Sequence, residues 1–296
     1  MVVALKAHEG MFHMPYPFLL LIVMATALLC LSPRPGAAQG SAPGRDAYVP
    51  ARTPDGQPDI QGVWRADPGG SYSIEYLGLQ SLGGGGFGDI AATKGGGSRV
   101  VDPTDGRIPY QPWAAAKAKD IFDHHMNPRP DQLDPQSRCW LQGVVRTTYQ
   151  SAFQILQTPG QVVFLINWGH SYRIIPIDGS SHPSQALKLF MGDSRGRWEG
   201  NTLVVDVTNN NHLTWFDVVG SFHSDALHVV QRFTIVDPNT MDYEATIDDP
   251  KVYTRPWKMA FKLRRNPKPD EIWEEACREG ERSVEKILSR PGGAGP

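Results

Sequence analysis

Cysteine is scarce in this chain. Three cysteines in 296 residues are too few for the disulfide lattice of a small secreted scaffold, and none shows the CxxC or CxH spacing of a zinc site. Charge of one sign is also lacking: 29 Lys and Arg stand against 31 Asp and Glu, for a formal net charge of −2. A nucleic-acid binder shows a basic excess or stripe, and a protein held to an anionic membrane surface shows a polybasic cluster, so the balance argues against both. The motifs G-x-x-x-x-G-K-[ST], H-E-x-x-H and G-x-S-x-G are absent, which disfavours phosphate-loop, zincin and serine-hydrolase chemistry. No βαβ alternation appears, so a dinucleotide-binding fold is not expected. The one long apolar run, Phe18–Leu31, covers about fourteen residues against the ~20 of a bilayer-spanning helix.

That run has Lys6 upstream and Ser32-Pro-Arg-Pro-Gly-Ala-Ala-Gln39 downstream. A short apolar core followed by helix breakers and small residues is the pattern of a secretory signal. Residues 1–38 are therefore expected to be a signal peptide cleaved after Ala38, with an uncleaved anchor as the alternative. Export would place Cys139 and Cys277 in an oxidising compartment (periplasm or extracellular), where two thiols tend to pair. A Cys139–Cys277 disulfide is expected, with a nucleophilic or metal-binding Cys277 as the rival reading.

Residues 39–152 read as a loop-rich arm, with a first short strand expected at Ile60–Arg65 (IQGVWR). The Gly-rich stretch 78–97 lacks a phosphate-loop signature and reads as a surface loop. Residues 112–125 form the best helix: Pro112 suits a first turn, and Ala, Lys and Asp follow without β-branched crowding. From Phe153 the texture changes to short alternating runs separated by turn signals such as Thr158-Pro-Gly160, Asp178-Gly179 and Asp237-Pro-Asn-Thr240. In Ala226–Val236, Leu227, Val229, Phe233 and Ile235 fall on one face. Met241, Tyr243, Ala245 and Ile247 do the same in the next run, and Trp257, Met259, Phe261 and Leu263 in the one after. The fold class expected is mostly β: an antiparallel meander forming a closed or nearly closed lipocalin-like barrel over residues 153–296. A helix near 279–288 ends it, and the arm with its one helix packs on it.

Three segments carry groups capable of chemistry. Met191–Gly200 gathers Asp193, Arg195, Arg197, Trp198 and Glu199; it reads as a salt-bridged turn leading into a strand, or as a rim loop offering an Arg and Trp198 to an anionic or aromatic ligand. Phe222–His228 holds His223 and Asp225 two apart, on one face of an extended chain. A His steadied by a carboxylate is the minimal general base, so His223 and Asp225 are candidate catalytic residues, with a structural pair or two metal ligands as alternatives. His228 would join the site only across a bulge, His212 and His170 from nearby turns. Asp248–Trp257 supplies Arg255, which either neutralises Asp248 or Asp249 or holds a ligand carboxylate, with Tyr253 and Trp257 capping a cavity.

Several of these stretches are long and specific. They are Thr53–Trp64 (TPDGQPDIQGVW), Met191–Gly200 (MGDSRGRWEG), His223–His228 (HSDALH), Tyr243–Trp257 (YEATIDDPKVYTRPW) and Glu275–Gly280 (EACREG). Together they resemble a family of exported, uncharacterised bacterial proteins, over most of the chain after the leader. The resemblance implies export and one continuous domain, and it supplies no catalytic residues. Relatives often read A-C-H-E-G where this chain has Arg278, which speaks against a scheme needing His beside Cys277.

The leading expectation is an exported binding protein for a small, partly apolar molecule, with His170, Asp193, Arg195, Trp198, His228, Tyr253 and Trp257 near the ligand. The rival is a cofactor-free or metal-assisted hydrolase, lyase or isomerase using His223, Asp225 and Arg195 or Arg255 at the barrel mouth. A structural envelope protein is the third reading. No cofactor is implied, a metal stays open, and the sequence is silent on oligomeric state.

Overall fold

The period-two patterning becomes a sheet with one dry face. The computed structural model describes residues 48–70, 72–77, 97–125 and 127–266, with Ile272, Glu275 and Cys277. The expected signal segment 1–38, most of the Gly-rich stretch and the expected C-terminal helix lie outside the described residues. Ten strands are present: β1 (Gly62–Asp67), β2 (Val100–Asp102), β3 (Phe153–Thr158), β4 (Gln161–Ile166), β5 (Ser171–Pro176), β6 (Asp193–Glu199), β7 (Thr202–Thr208), β8 (His228–Asp237), β9 (Thr240–Asp248) and β10 (Trp257–Arg265). Among the described residues two α-helices accompany them, α1 (Pro112–His124) and the single turn α2 (Thr147–Gln150). No helix of the described residues is long and apolar enough to cross a membrane.

The sheet runs β5-β4-β3-β1-β10-β9-β8-β7-β6, with β2 added to β10 off this path. Every pairing along the path is antiparallel. The end strands β5 and β6 meet through side chains instead of a ladder. Arg173 Nε of β5 donates to Ser194 Oγ of β6 at 2.7 Å. Gly196 of β6 lies under Ile175 and Ile177; a Cβ there would sit 2.8 Å from a methyl carbon of each. The result is a nearly closed barrel-shaped antiparallel sheet with one side-chain seam. Its lipocalin-like topology follows the chain, with β1 linking β3 to β10.

Two expectations need correction. The boundary at 152/153 does not separate arm from barrel, because β1 pairs with β3 and β10 and is itself a stave. Met191–Gly200 is not a loop, because Asp193–Glu199 forms β6. Its polar composition imitates a turn, yet Ser194 is buried and the charged residues Asp193, Arg195, Arg197 and Glu199 alternate outward with it.

The inward face is almost wholly apolar. Ile155, Phe164, Ile175, Val205, Val229, Phe233, Tyr243, Ile247 and Met259 are all buried. Phe153 stacks on Phe164 with centroids 5.2 Å apart, and Phe164 meets Phe233 edge-on at 5.3 Å, so aromatic rings cross the barrel from β4 to β8. Helix α1 begins at Pro112 as expected and buries Ala114 and Ile121. The backbone of Gly220, at φ +94°, presses on Ile121 so closely that a Cβ would stand 2.3 Å from its Cγ2; only glycine serves both needs.

Cys139 and Cys277 form a disulfide with Cα atoms 5.5 Å apart, 138 residues apart in sequence. Native bridges typically contribute about 2–4 kcal/mol. Cys277→Ser should therefore lower the urea unfolding free energy by about that amount, and reductant should reproduce the loss in the native protein; equal stability of all three samples would contradict it. Gly196→Val should cost about 1–3 kcal/mol through overpacking of the seam, read as a lowered thermal midpoint.

Candidate functional site

The proposed catalytic trio does not assemble. His223 is buried, with Nε2 2.8 Å from Thr214 Oγ1 and Nδ1 2.9 Å from the Ser224 carbonyl oxygen. Burial, the largest influence, lowers its pKa. Asp225 is near the surface and accepts from Lys251 Nζ at 2.8 Å; that lysine holds its carboxyl below the usual range. Arg255 grips Asp102 with both terminal nitrogens, at 3.1 and 2.7 Å, and not Asp248 or Asp249. The carboxylate of Asp249 instead accepts from Ser224 N and Oγ at 2.6 and 2.9 Å. The physical reason is local: the segment around Phe222–His228 is not a regular strand, so the two-residue spacing does not put His223 and Asp225 on one face. Tyr253 is buried and donates to the Phe222 carbonyl at 2.8 Å, and Trp257 faces inward with no exposed surface. Trp198 packs against the core from β6. His170 is exposed in the turn before β5, at φ +48°.

Asp193, Arg195 and His228 do come together, on the outer side of β6–β8, around two residues the sequence reading missed. His182 Nδ1 lies 2.6 Å from Asp193 Oδ2, and His182 Nε2 lies 2.9 Å from Asp206 Oδ1. His228 Nε2 lies 2.9 Å from the other Asp206 oxygen, and Arg195 pairs with Asp193 at 3.2 Å. The hydrogen bond with Asp206 raises the pKa of His228, and the same contact lowers that of Asp206. Asn209 adds bonds from Nδ2 to the carbonyls of Ser184 and Leu187, at 2.8 and 3.0 Å. These contacts pin the β5–β6 connection to the barrel wall. Among the described residues no group of three or more His, Cys, Asp or Glu is arranged to hold a metal.

The barrel interior carries a different polar set. Arg173 is 4% exposed; beyond its Nε bond to Ser194, its Nη1 and Nη2 have no hydrogen-bond partner among the described residues. Gln231, wholly buried, donates from Nε2 to the Tyr243 hydroxyl at 2.7 Å and to the Val144 carbonyl at 3.2 Å, while its Oε1 has no partner among the described residues. Desolvation lowers the Arg173 pKa to about 10, opposed only by the Tyr243 phenol, so the guanidinium stays charged at neutral pH. Arg173, Gln231, Asp206 and His182 were all missed. A signal existed for Arg173: in Ser171–Ile175 it shares the alternation of Ser171 and Ile175, so a charge stands on an inward position.

A cleft of about 370 Å³ lies between α1 and the 217–222 turn, with Glu75, Tyr76, Tyr110 and Phe122 in its wall. Glu75 accepts from Ile108 N at 2.8 Å, and burial pushes its pKa up to about 7. No family model matches this chain, and no curated protein or solved structure is significantly similar to it.

Glu75 gives a signed pH dependence. Its carboxyl ionises in the unfolded chain at the ordinary value near 4.5 but in the fold only near 7. Between those values the unfolded state holds fewer protons, so this group lowers stability as pH rises and the effect levels off above about 7. Glu75→Gln should recover on the order of 2 kcal/mol at about pH 8 and nothing at about pH 4. Chemical denaturation at the two pH values checks this; an equal change at both would contradict it.

Proposed function

We propose that the protein is an exported binder of a small, partly apolar molecule, held within the barrel. The observation that carries this reading is three buried polar atoms without a hydrogen-bond partner among the described residues, Arg173 Nη1 and Nη2 and Gln231 Oε1, inside a sleeve of aromatic and aliphatic side chains. Buried polar groups in folded proteins are nearly always satisfied, and each exception calls for an explanation. A bound molecule with a polar end and an apolar body supplies one. A nearly closed up-and-down barrel is an architecture that encloses single small ligands. The disulfide suits an oxidising compartment, and the motif resemblance to exported bacterial proteins supports the same destination. His223, Asp225 and Arg255 face separate partners, so the enzyme reading that joined them loses its geometric basis.

Binding is measured directly by titrating the protein with Nile red, a neutral dye that brightens in apolar surroundings. Saturable binding with a micromolar Kd is expected. Ala245, an inward residue on β9 paired with Gln231 across the ladder, is small; Ala245→Leu should weaken dye binding about tenfold by filling space beside the polar set. Absence of saturable binding to the native protein, or dye binding indifferent to Ala245→Leu in a folded variant, would contradict the proposal.

A further inference from the structure

Among the described residues three arginines are buried, and they differ in how their charge is met. Arg146, 1% exposed, is gripped by Asp134 through two bonds of 2.7 and 2.9 Å, and its Nε donates to Gln150 at 2.6 Å. Arg99 donates to the Pro68 carbonyl at 2.7 Å and lies over the rings of Tyr149 and Phe261, 4.8 and 4.7 Å from their centroids. Arg173 has one neutral hydroxyl at Nε and one ring face, Phe164, at 5.9 Å. A guanidinium is a fork of donors that matches two coplanar oxygens, and the Ser194 bond fixes the fork's base while leaving both tines. A buried cation without a counter-charge is strongly disfavoured, so its retention on an inward position of β5 argues for an anion that arrives from outside the chain.

We propose that the molecule held in the barrel is an apolar monocarboxylate whose carboxylate is received by Nη1 and Nη2 of Arg173. This rests on the binding function above and names its ligand class. One guanidinium neutralises one negative charge. A phosphate monoester would leave a second charge among Phe153, Phe164 and Phe233, where nothing in the described interior compensates it. Gln231, whose amide is joined to the Tyr243 hydroxyl, contributes further polar atoms to the same interior. The apolar body of the ligand then lies along the rings contributed by β3, β4 and β8.

Competition against Nile red with matched pairs tests this: dodecanoate against dodecanol, and 1-naphthoate against 1-naphthalenemethanol, near neutral pH. The native protein should bind each carboxylate at least about tenfold more tightly than its alcohol. Arg173→Met should bring that ratio close to one, and Arg173→Lys should leave it intermediate, since a point charge lacks the fork. The native ratio needs no variant, so a poorly folding Arg173→Met does not remove the test. Alcohols binding as well as the carboxylates would overturn the carboxylate inference while leaving the binding function standing. Failure of all four compounds and of the dye would overturn the binding function itself.

Discussion

Pairing of β1 with both β3 and β10 turns two meanders into one circuit, and the rest of the molecule depends on that junction. Without it, β3–β5 and β6–β10 would be open sheets with long unpaired edges and one greasy face each. With it, the apolar faces of nine strands turn toward each other, and the remaining edges, β5 and β6, are short enough to be sealed by Ser194, Gly196 and the isoleucines at 175 and 177. Every inward side chain is then defined by strand parity alone. Arg173 is inside because it is two residues from Ile175, not because anything attracts it there.

That geometry divides polar chemistry into two kinds. On the outer wall, charges meet charges: His182, Asp193, Asp206 and His228 satisfy one another and hold the β5–β6 connection beside the seam. Such a network explains itself by fastening. Inside the barrel the bookkeeping does not close, because a cation and an amide oxygen stand among aromatic rings without hydrogen-bond partners among the described residues. The same residue that helps seal the seam, through Nε, presents its charged end inward. On the proposed binding function, closure and recognition share one side chain.

The sequence was most legible where alternation is strict. The runs at β8, β9 and β10 give their inward faces directly, because apolar residues recur every second position over nine or ten residues. Helix α1 was legible from Pro112 and its alanines. β6 was not, since charged residues fill its outward positions and Gly196 its seam, a composition shared with turns. β1 was legible as a short strand near Ile60–Arg65, but its place between β3 and β10 was not, because six residues carry too little periodic signal to assign partners. The candidate site fared worse. Proximity in sequence suggested His223 with Asp225, but an irregular backbone sends them to Thr214 and Lys251. His182, Asp206 and His228 meet only through strand register and a returning loop, which no local spacing encodes. Arg173 and Gln231 are legible in principle, as polar residues at inward parity beside Ile175 and Val229.

The central claim is that a small molecule occupies the inside of this barrel. Methyl-resolved NMR of the intact protein, titrated with dodecanoate, tests it most directly. The account predicts saturable shifts concentrated on inward methyls such as Ile155, Ile175, Val205 and Val229, with Ile174 and Leu156 on the outer face unmoved. Shifts confined to Ile174, Leu156 and their outer neighbours, or no shifts at all, would contradict it.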